Sequence, residues 1–310
     1  MPTVGQRMTK NKISSGNDTK RMKVIRRLKR IVEASRELIS SLLFPLRCPI
    51  CDEILSPEEN EKGIHLACEN KLYPVKGAVC MHCGRPLGYM KSQKQLKKQN
   101  IEYSGKKQYD AYVIEPDMTP SHLTLESTYE YCFECHRKGY TKSSNITQGK
   151  ALYLYKGAIK NSMYRLKYAN KREYARFYAK QAVKKYGTWF YMTQAIIPVP
   201  VHPRKKRLRG YNQAQVFAEE LSKLMGIPVD KECVRRVKDT APQKELNYQE
   251  RKNNLENAFQ KGKSIVQYSH VLVVDDIYTT GCTAEAVAKE LRKQGVRHIY
   301  LLSVCIGGND

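Results

Sequence analysis

Nowhere does the 310-residue sequence hold the roughly 18 uninterrupted apolar residues that a membrane-spanning helix needs, and "LISSLLF", its densest apolar phrase near the start, is far too short. No apolar leader follows Met1, where the chain is polar and basic. A secreted, disulfide-stapled fold is therefore not expected, and the ten cysteines are read as reduced thiols or metal ligands. Acidic residues are scarce beside basic ones. With 30 Asp and Glu against 55 Lys and Arg, the formal charge is +25, which favours contact with polyanions or anionic substrates. Internal repeats are missing, and no Ser-His-Asp or Cys-His nucleophilic arrangement stands out. These absences lead to a soluble, cytoplasmic protein whose membrane contact, if it has one, is peripheral and at the inner face.

What is present divides the chain into three stretches. Residues 1–44 read as a disordered basic tail leading into an amphipathic basic helix from about residue 20, with Val24, Leu28, Ile31, Leu38 and Leu42 recurring at helical spacing. Residues 45–145 carry seven cysteines, three pairs of them spaced C-x-x-C, interrupted at about residues 88–128 by a basic, tyrosine-bearing insert. Residues 146–310 change texture. There "ALYLYKGAIKNSMYRLKYANKREYARFYAKQAVKKYG" is read as helical up to Gly187, "QAIIPVPV" as a buried strand, and "YNQAQVFAEELSKLMG" as a helix capped by Gly226, with Phe217, Leu221, Leu224 and Met225 on one face. A second strand, "VLVVDD", a helix ending at Gly295 and a third strand, "HIYLLSVCI", complete an α/β pattern, which implies a mainly parallel sheet covered on both faces.

The chemistry concentrates in "VLVVDDIYTTG", residues 271–281. A strand that gives way to a tight turn and then a helix sets that turn at the carboxyl edge of a parallel sheet, where open α/β folds bind ligands. Thr279, Thr280, Gly281, Cys282 and Thr283 would offer backbone N–H groups and hydroxyls at a helix start, an arrangement suited to a phosphate. Asp275 and Asp276 would repel phosphate and accept hydrogen bonds from sugar hydroxyls or hold a hydrated cation. Phosphate on one side and a diol on the other describe a ribose 5-phosphate.

The same eleven residues resemble the phosphoribosyl pyrophosphate signature of type I phosphoribosyltransferases. In that family the acidic pair binds the ribose 2′ and 3′ hydroxyls and the Thr-Thr-Gly loop binds the 5-phosphate. Further phrases resemble the ComF family of competence-associated phosphoribosyltransferase-like proteins: "LLFPLRC" at 42–48, "PVPVHPRKKRLRGYNQA" at 198–214, and Gln243, Leu246, Arg251, Asn254, Ala258 and Phe259 in the stretch that follows. The resemblance implies a type I phosphoribosyltransferase fold behind a zinc-ribbon module. It also implies phosphoribosyl pyrophosphate as ligand with Mg²⁺ on its pyrophosphate, and a role in bacterial competence beside single-stranded DNA and a competence helicase. By resemblance, the loop after "IIPVP" is the pyrophosphate loop. Arg204, Arg207 and Arg209 are its anion-binding candidates, and Gln243 and Arg251 belong to a mobile loop that closes over the site. A noncatalytic ligand sensor and a nucleic-acid-binding adaptor remain the rival readings to a transferase.

Four thiolates, Cys80, Cys83, Cys132 and Cys135, suit a structural tetrahedral zinc. Cys48, Cys51 and Cys68 form an incomplete second set, because Lys71 stands where a double ribbon would supply a fourth thiolate and His65 is the available substitute. The spacing leaves open a different pairing in which Cys48 and Cys51 share a metal with Cys80 and Cys83. Cys233, Cys282 and Cys305 read as buried structural thiols, and Tyr103, Tyr109 and Tyr112 of the insert as packed aromatic residues or single-strand contacts.

Overall fold

A computed structural model describes residue 22, residues 45–87, 131–239, 250, 254–255 and 257–307. The tail and amphipathic helix, the insert, Gln243, Leu246 and Arg251 lie outside those residues. Strand β1 (Gln148–Leu154) is followed by helices α3 (Ile159–Tyr168) and α4 (Tyr174–Tyr186), two short helices α1 (Leu66–Glu69) and α2 (Phe133–Arg137) having come before it in the cysteine module. Strand β2 (Ala195–Pro198) leads through α5 (Pro203–Arg209) and α6 (Gln213–Met225) to a small hairpin of β3 (Val234–Arg236) and β4 (Phe259–Lys261). Strand β5 (His270–Tyr278), helix α7 (Cys282–Lys293) and strand β6 (His298–Ile306) close the chain.

Four strands form one parallel sheet in the order β1-β6-β5-β2. The run Val271 to Val274 is apolar on both sides because both sides are covered. Val271 and Val273 join the core that contains Val287 and Leu291 of α7, whereas Leu272 and Val274 join Tyr178 of α4 and Phe217 and Leu221 of α6. Asn212 sets the start of α6 by accepting from the Ala214 N–H at 3.1 Å, and Gly226, at φ +72°, ends it in the left-handed region. No helix among the described residues is long and apolar enough to cross a membrane.

Three expectations need correction. Residues 148–154 are a strand and not the start of a helix: seven residues rich in apolar and aromatic side chains pair in register with Tyr300 to Ile306 of β6. The segment after β2 is not an open loop, since Pro203 at the first helical turn starts α5 and Gly210, at φ +79°, stops it. Leu224 is exposed, with Phe217 and Leu221 alone of that predicted face deeply buried.

The cysteine module is built onto β1. The Val75 N–H donates to the Leu152 carbonyl and the Leu154 N–H to Tyr73, each at 2.8 Å, while the Gly149 N–H donates to the Met81 carbonyl at 2.6 Å. An edge strand that would otherwise present unpaired backbone groups is thereby closed. The approach is so near that a Cβ on Gly84, which sits at φ +74°, would lie 2.6 Å from the Lys150 Cα. Replacing Gly84→Ala should destabilise the protein by about 1–3 kcal/mol or more through overpacking and left-handed strain; a urea midpoint unchanged from the native protein would refute this docking.

Candidate functional site

The carboxylates stand at the carboxyl end of a central strand. Asp275 and Asp276 were expected where the strand gives way to a loop, but β5 continues through Tyr278, with Asp275 opposite Ser303, Ile277 opposite Cys305 and Tyr278 opposite Ile306. Pairing with β6 fixes their backbone, and each aspartate accepts from the next N–H, Asp275 from Asp276 and Asp276 from Ile277, both at 2.8 Å. The loop proper is only Thr279 to Gly281, and Gly281 must be glycine. Its φ is +82°, and a Cβ there would collide with the Tyr278 ring, around which the chain folds. Helix α7 begins on the next residue, so its first N–H groups, which lack acceptors within the helix, face the strand end.

The hydroxyls of the loop are not all available. Thr279 is exposed and Thr283 half-buried, but Thr280 is buried and donates to the Cys282 sulfur at 3.3 Å. Cys282 is buried too, as are Cys233 and Cys305, which agrees with their reading as structural thiols.

Two cationic residues that sequence reasoning missed complete this edge. The Lys167 Nζ, from the last turn of α3, lies 2.8 Å from Asp276 Oδ2, with side-chain exposures of 20% and 14%. Burial acts against the charged form of Asp276, yet Lys167 holds its carboxyl below the usual range; burial and the adjacent Asp276 push Asp275 well above it. One lysine therefore neutralises one aspartate and leaves the other disposed to keep a proton. Arg236, at the end of β3, is half-buried; burial lowers its pKa, against the pull of Asp239 and Asp275. Neither residue carried a signal: Lys167 is one of 55 basic residues, and Arg236 ends a three-residue strand.

The arginines of α5 separate. Arg209 donates to Gln213 Oε1 at 3.1 Å and to the Tyr168 hydroxyl at 3.2 Å, which places it beside the residue following Lys167. Arg204 is exposed and pairs with Asp239 at 3.4 Å, and Arg207 is exposed. The structure brings Arg209 to the carboxylate edge and leaves the other two at the surface.

Two closed sets of metal-ligating groups lie in the module. Cys80, Cys83, Cys132 and Cys135 form one and Cys48, Cys51, His65 and Cys68 the other, the donor atoms of each within 4.8 Å of one another. The alternative pairing of Cys48 and Cys51 with Cys80 and Cys83 is not the one adopted. In the first set, contacts from Cys135, Cys80 and Cys83 hold Cys132 well below the ordinary thiol value. In the second, burial opposes ionisation of Cys48, but backbone N–H groups of Cys51 and His65 outweigh it and lower the thiol to about 7. His65 offers Nδ1 to Cys51 Sγ at 3.2 Å while its Nε2 lies 3.2 Å from the Ile54 carbonyl, an acceptor that fixes the proton on Nε2 and frees Nδ1 as a ligand. Both donor sets fit tetrahedral zinc.

Residues beside the first donor set reach the Thr279–Gly281 loop and the end of β6. Lys138, three residues beyond Cys135, donates to the Thr280 carbonyl at 3.0 Å, and Arg85 donates to the Gly307 carbonyl at 2.7 Å. Glu285, in the first turn of α7, accepts from Ser144 Oγ and Asn145 Nδ2, each at 2.9 Å. Burial takes His82 down to about 4, so its imidazole is neutral. It stacks on Tyr140 at 4.1 Å and shares Ser144 Oγ at 2.9 Å; its 3.6 Å approach to Glu285 is a contact, not an ion pair.

Comparison with known proteins accords with this arrangement. Residues 39–101 match a double zinc ribbon domain and residues 212–309 a phosphoribosyl transferase domain. The chain is 41% identical over 112 residues to Competence protein F of Haemophilus influenzae, covering 36% of this chain and 49% of that protein. It is 21% identical over 272 residues to Competence protein ComFC of Bacillus subtilis, covering 82% of this chain and 91% of that one. The chain is thus similar to the ComF proteins in both its zinc-ribbon and its phosphoribosyltransferase parts. Another relative is the DNA utilization protein YhgH of Escherichia coli K12, 34% identical over 118 residues, with 38% of this chain and 52% of that protein covered. The chain spans about half the length of the first curated relatives it matches. Among solved structures, a purine phosphoribosyltransferase from Pyrococcus horikoshii aligns over 43% of this chain and 71% of its own at 18% identity, with a TM-score of 0.26. The fold is that of a type I phosphoribosyltransferase domain behind an N-terminal double zinc ribbon.

The ion pair yields a prediction independent of any ligand. Replacing Lys167→Met leaves the buried Asp276 carboxylate without its counter-charge and should cost about 3 kcal/mol at pH 7. Loss of the lysine raises the carboxyl pKa of Asp276, so acidification lets that group take a proton and the penalty should shrink towards pH 5. Urea unfolding of both proteins at the two pH values checks the sign; a penalty that grows on acidification would contradict the assignment.

Proposed function

We propose that the protein binds phosphoribosyl pyrophosphate, with Mg²⁺ on its pyrophosphate, and acts in competence in the handling of incoming single-stranded DNA. The observation that carries the ligand reading is the carboxylate pair on a central strand, held by Lys167 and followed five residues on by the left-handed Gly281 and then the start of α7. Acceptors for a diol and donors for a phosphate then stand one turn apart on one sheet edge. Competence protein F, ComFC and the DNA utilization protein YhgH support the cellular part of the reading through their names alone.

On this reading residues 45–145 are the zinc module and residues 146–310 the ligand domain. Asp275 and Asp276 receive the ribose hydroxyls, Thr279, Thr283 and the backbone of Thr280 to Cys282 receive the 5-phosphate, and Arg209 and Arg236 face the departing charge. Arg204 and Arg207 supply longer-range attraction from the surface. Gln243 and Arg251 belong to the closing loop by family resemblance and lie outside the described residues. Transfer would displace pyrophosphate at the anomeric carbon through a cationic transition state, so the protein's work is positioning and electrostatics. Mg²⁺, when bound, neutralises the pyrophosphate.

Calorimetric titration of phosphoribosyl pyrophosphate with Mg²⁺ into the full chain should show saturable binding that Asp275→Asn/Asp276→Asn weakens at least tenfold, about the 1.4 kcal/mol of one lost charge-assisted contact. No binding by folded, zinc-loaded native protein would sink the ligand reading. Where binding is seen, acceptor-dependent pyrophosphate release marks a transferase, and tight binding without turnover marks a ligand sensor.

The two donor sets are assigned one structural zinc each. Metal analysis of the purified chain should find two zinc ions, one in His65→Ala and two again in His65→Cys, because a thiolate restores the fourth ligand. Two ions retained in His65→Ala would remove His65 from the set.

A further inference from the structure

Helix α3 exposes aromatic surface where a folded chain has no need of it. Tyr164 and Tyr168, one turn apart, are 63% and 56% exposed, and their rings lie 5.0 Å apart with an interplanar angle of 47°. Lys167, between them in sequence, grips Asp276, so the pair borders the carboxylate edge. Arg209 braces Tyr168 from α5: its guanidinium carbon sits 5.1 Å from the ring centre while it also donates to the ring hydroxyl. Next to Arg209, Leu208 is 79% exposed, and Lys206 and Arg207 are exposed as well. The surface thus joins flat aromatic rings and an arginine plane, with further exposed cations on the same short helix. Adjacent rings offer a place for planar, apolar groups, and the cations beside them require those groups to be carried on an anionic backbone. A peptide partner would have to bring acidic and aromatic groups in alternation, whereas a nucleic-acid strand brings both in every residue.

We propose that Tyr164 and Tyr168, braced by Arg209, are a stacking platform for the bases of a single nucleic-acid strand whose phosphates run along α5. The inference rests on the DNA-handling part of the proposed function and locates it. It does not require the ribose site to be catalytic. A strand so placed passes its bases by the mouth of the carboxylate edge.

The test is fluorescence anisotropy of a labelled oligothymidylate of about 15 nucleotides against an abasic strand of equal length and charge, using the full chain. Native protein should hold the base-bearing strand about tenfold more tightly, Tyr164→Ala/Tyr168→Ala should bind both strands alike, and Tyr164→Phe/Tyr168→Phe should keep the preference because the rings remain. Tyr191→Ala, at another exposed aromatic, should behave as native. Equal binding of the two strands by native protein overturns the proposal, as does an alanine variant that keeps the preference. Displacement of the strand by free thymidine at equal base concentration would make the occupant a lone nucleoside and overturn it too. Phosphoribosyl pyrophosphate titrated into the same samples separates the two readings. Its failure to bind native protein counts against the ligand site alone, and its unchanged binding to the alanine variant ties any lost strand affinity to the rings.

Discussion

Two carboxylates stand side by side at the end of the central strand with one lysine to neutralise them, and this imbalance organises the site. Burial alone would drive both aspartates to protonate. Lys167 at 2.8 Å keeps Asp276 ionised, and the charge so maintained holds the proton on its neighbour. The edge therefore carries one buried ion pair and one carboxyl disposed to keep its proton, inside a chain whose formal charge is +25. Arg209 and Arg236 converge on it from α5 and from the hairpin, two elements with no reason to meet otherwise. A diol would meet carboxyl acceptors there, and an anion the arginines beside them.

The zinc module is part of the support of that edge and not an appendage. Its backbone closes the outer side of β1, and its side chains then reach over the sheet: Lys138 to the Thr280 carbonyl, Arg85 to Gly307, and the Ser144 and Asn145 pair to Glu285 on the first turn of α7. A loop of three residues built on a left-handed glycine has few contacts of its own. Its shape is set from beneath by Tyr278 and from the side by the module. Because the donor sets lie within the module's own fold, the geometry of the module and that of the Thr279–Gly281 loop are linked through a handful of hydrogen bonds.

Much of this was legible in the sequence, and the illegible parts share a cause. The strands "AIIP", "HVLVVDDIY" and "HIYLLSVCI" announced themselves as apolar runs, and Gly226 marked the end of α6, because burial on both faces and a left-handed cap are written in local composition. The residues 148–154 misled because an alternating apolar run beside a long amphipathic helix is decided by its partner, β6, some 150 residues away. Lys167, Arg236 and Lys138 were invisible for the same reason. A cation that answers a distant carboxylate or carbonyl looks, in sequence, like any of the others in a basic chain. His65 was visible as a substitute ligand only because its set lacked a fourth thiolate.

The distribution of basic residues then follows from two separate needs. Those turned inward, Lys167, Arg209 and Arg236, are each held by a named partner or packed into the fold, so their number is limited by the anions they face. Arg204, Lys206 and Arg207 of α5 are exposed, and among the described residues only Arg204 of the three has an acidic neighbour, Asp239 at 3.4 Å. Screening makes such surface charges worth little to the fold, and solubility alone would not gather them on one helix beside exposed tyrosines. Their concentration on the helix that also carries Arg209 would raise the local density of any polyanion there. Exposed and inward-held basic residues thus share one seven-residue helix, and the two kinds differ in whether the fold itself gives them a partner.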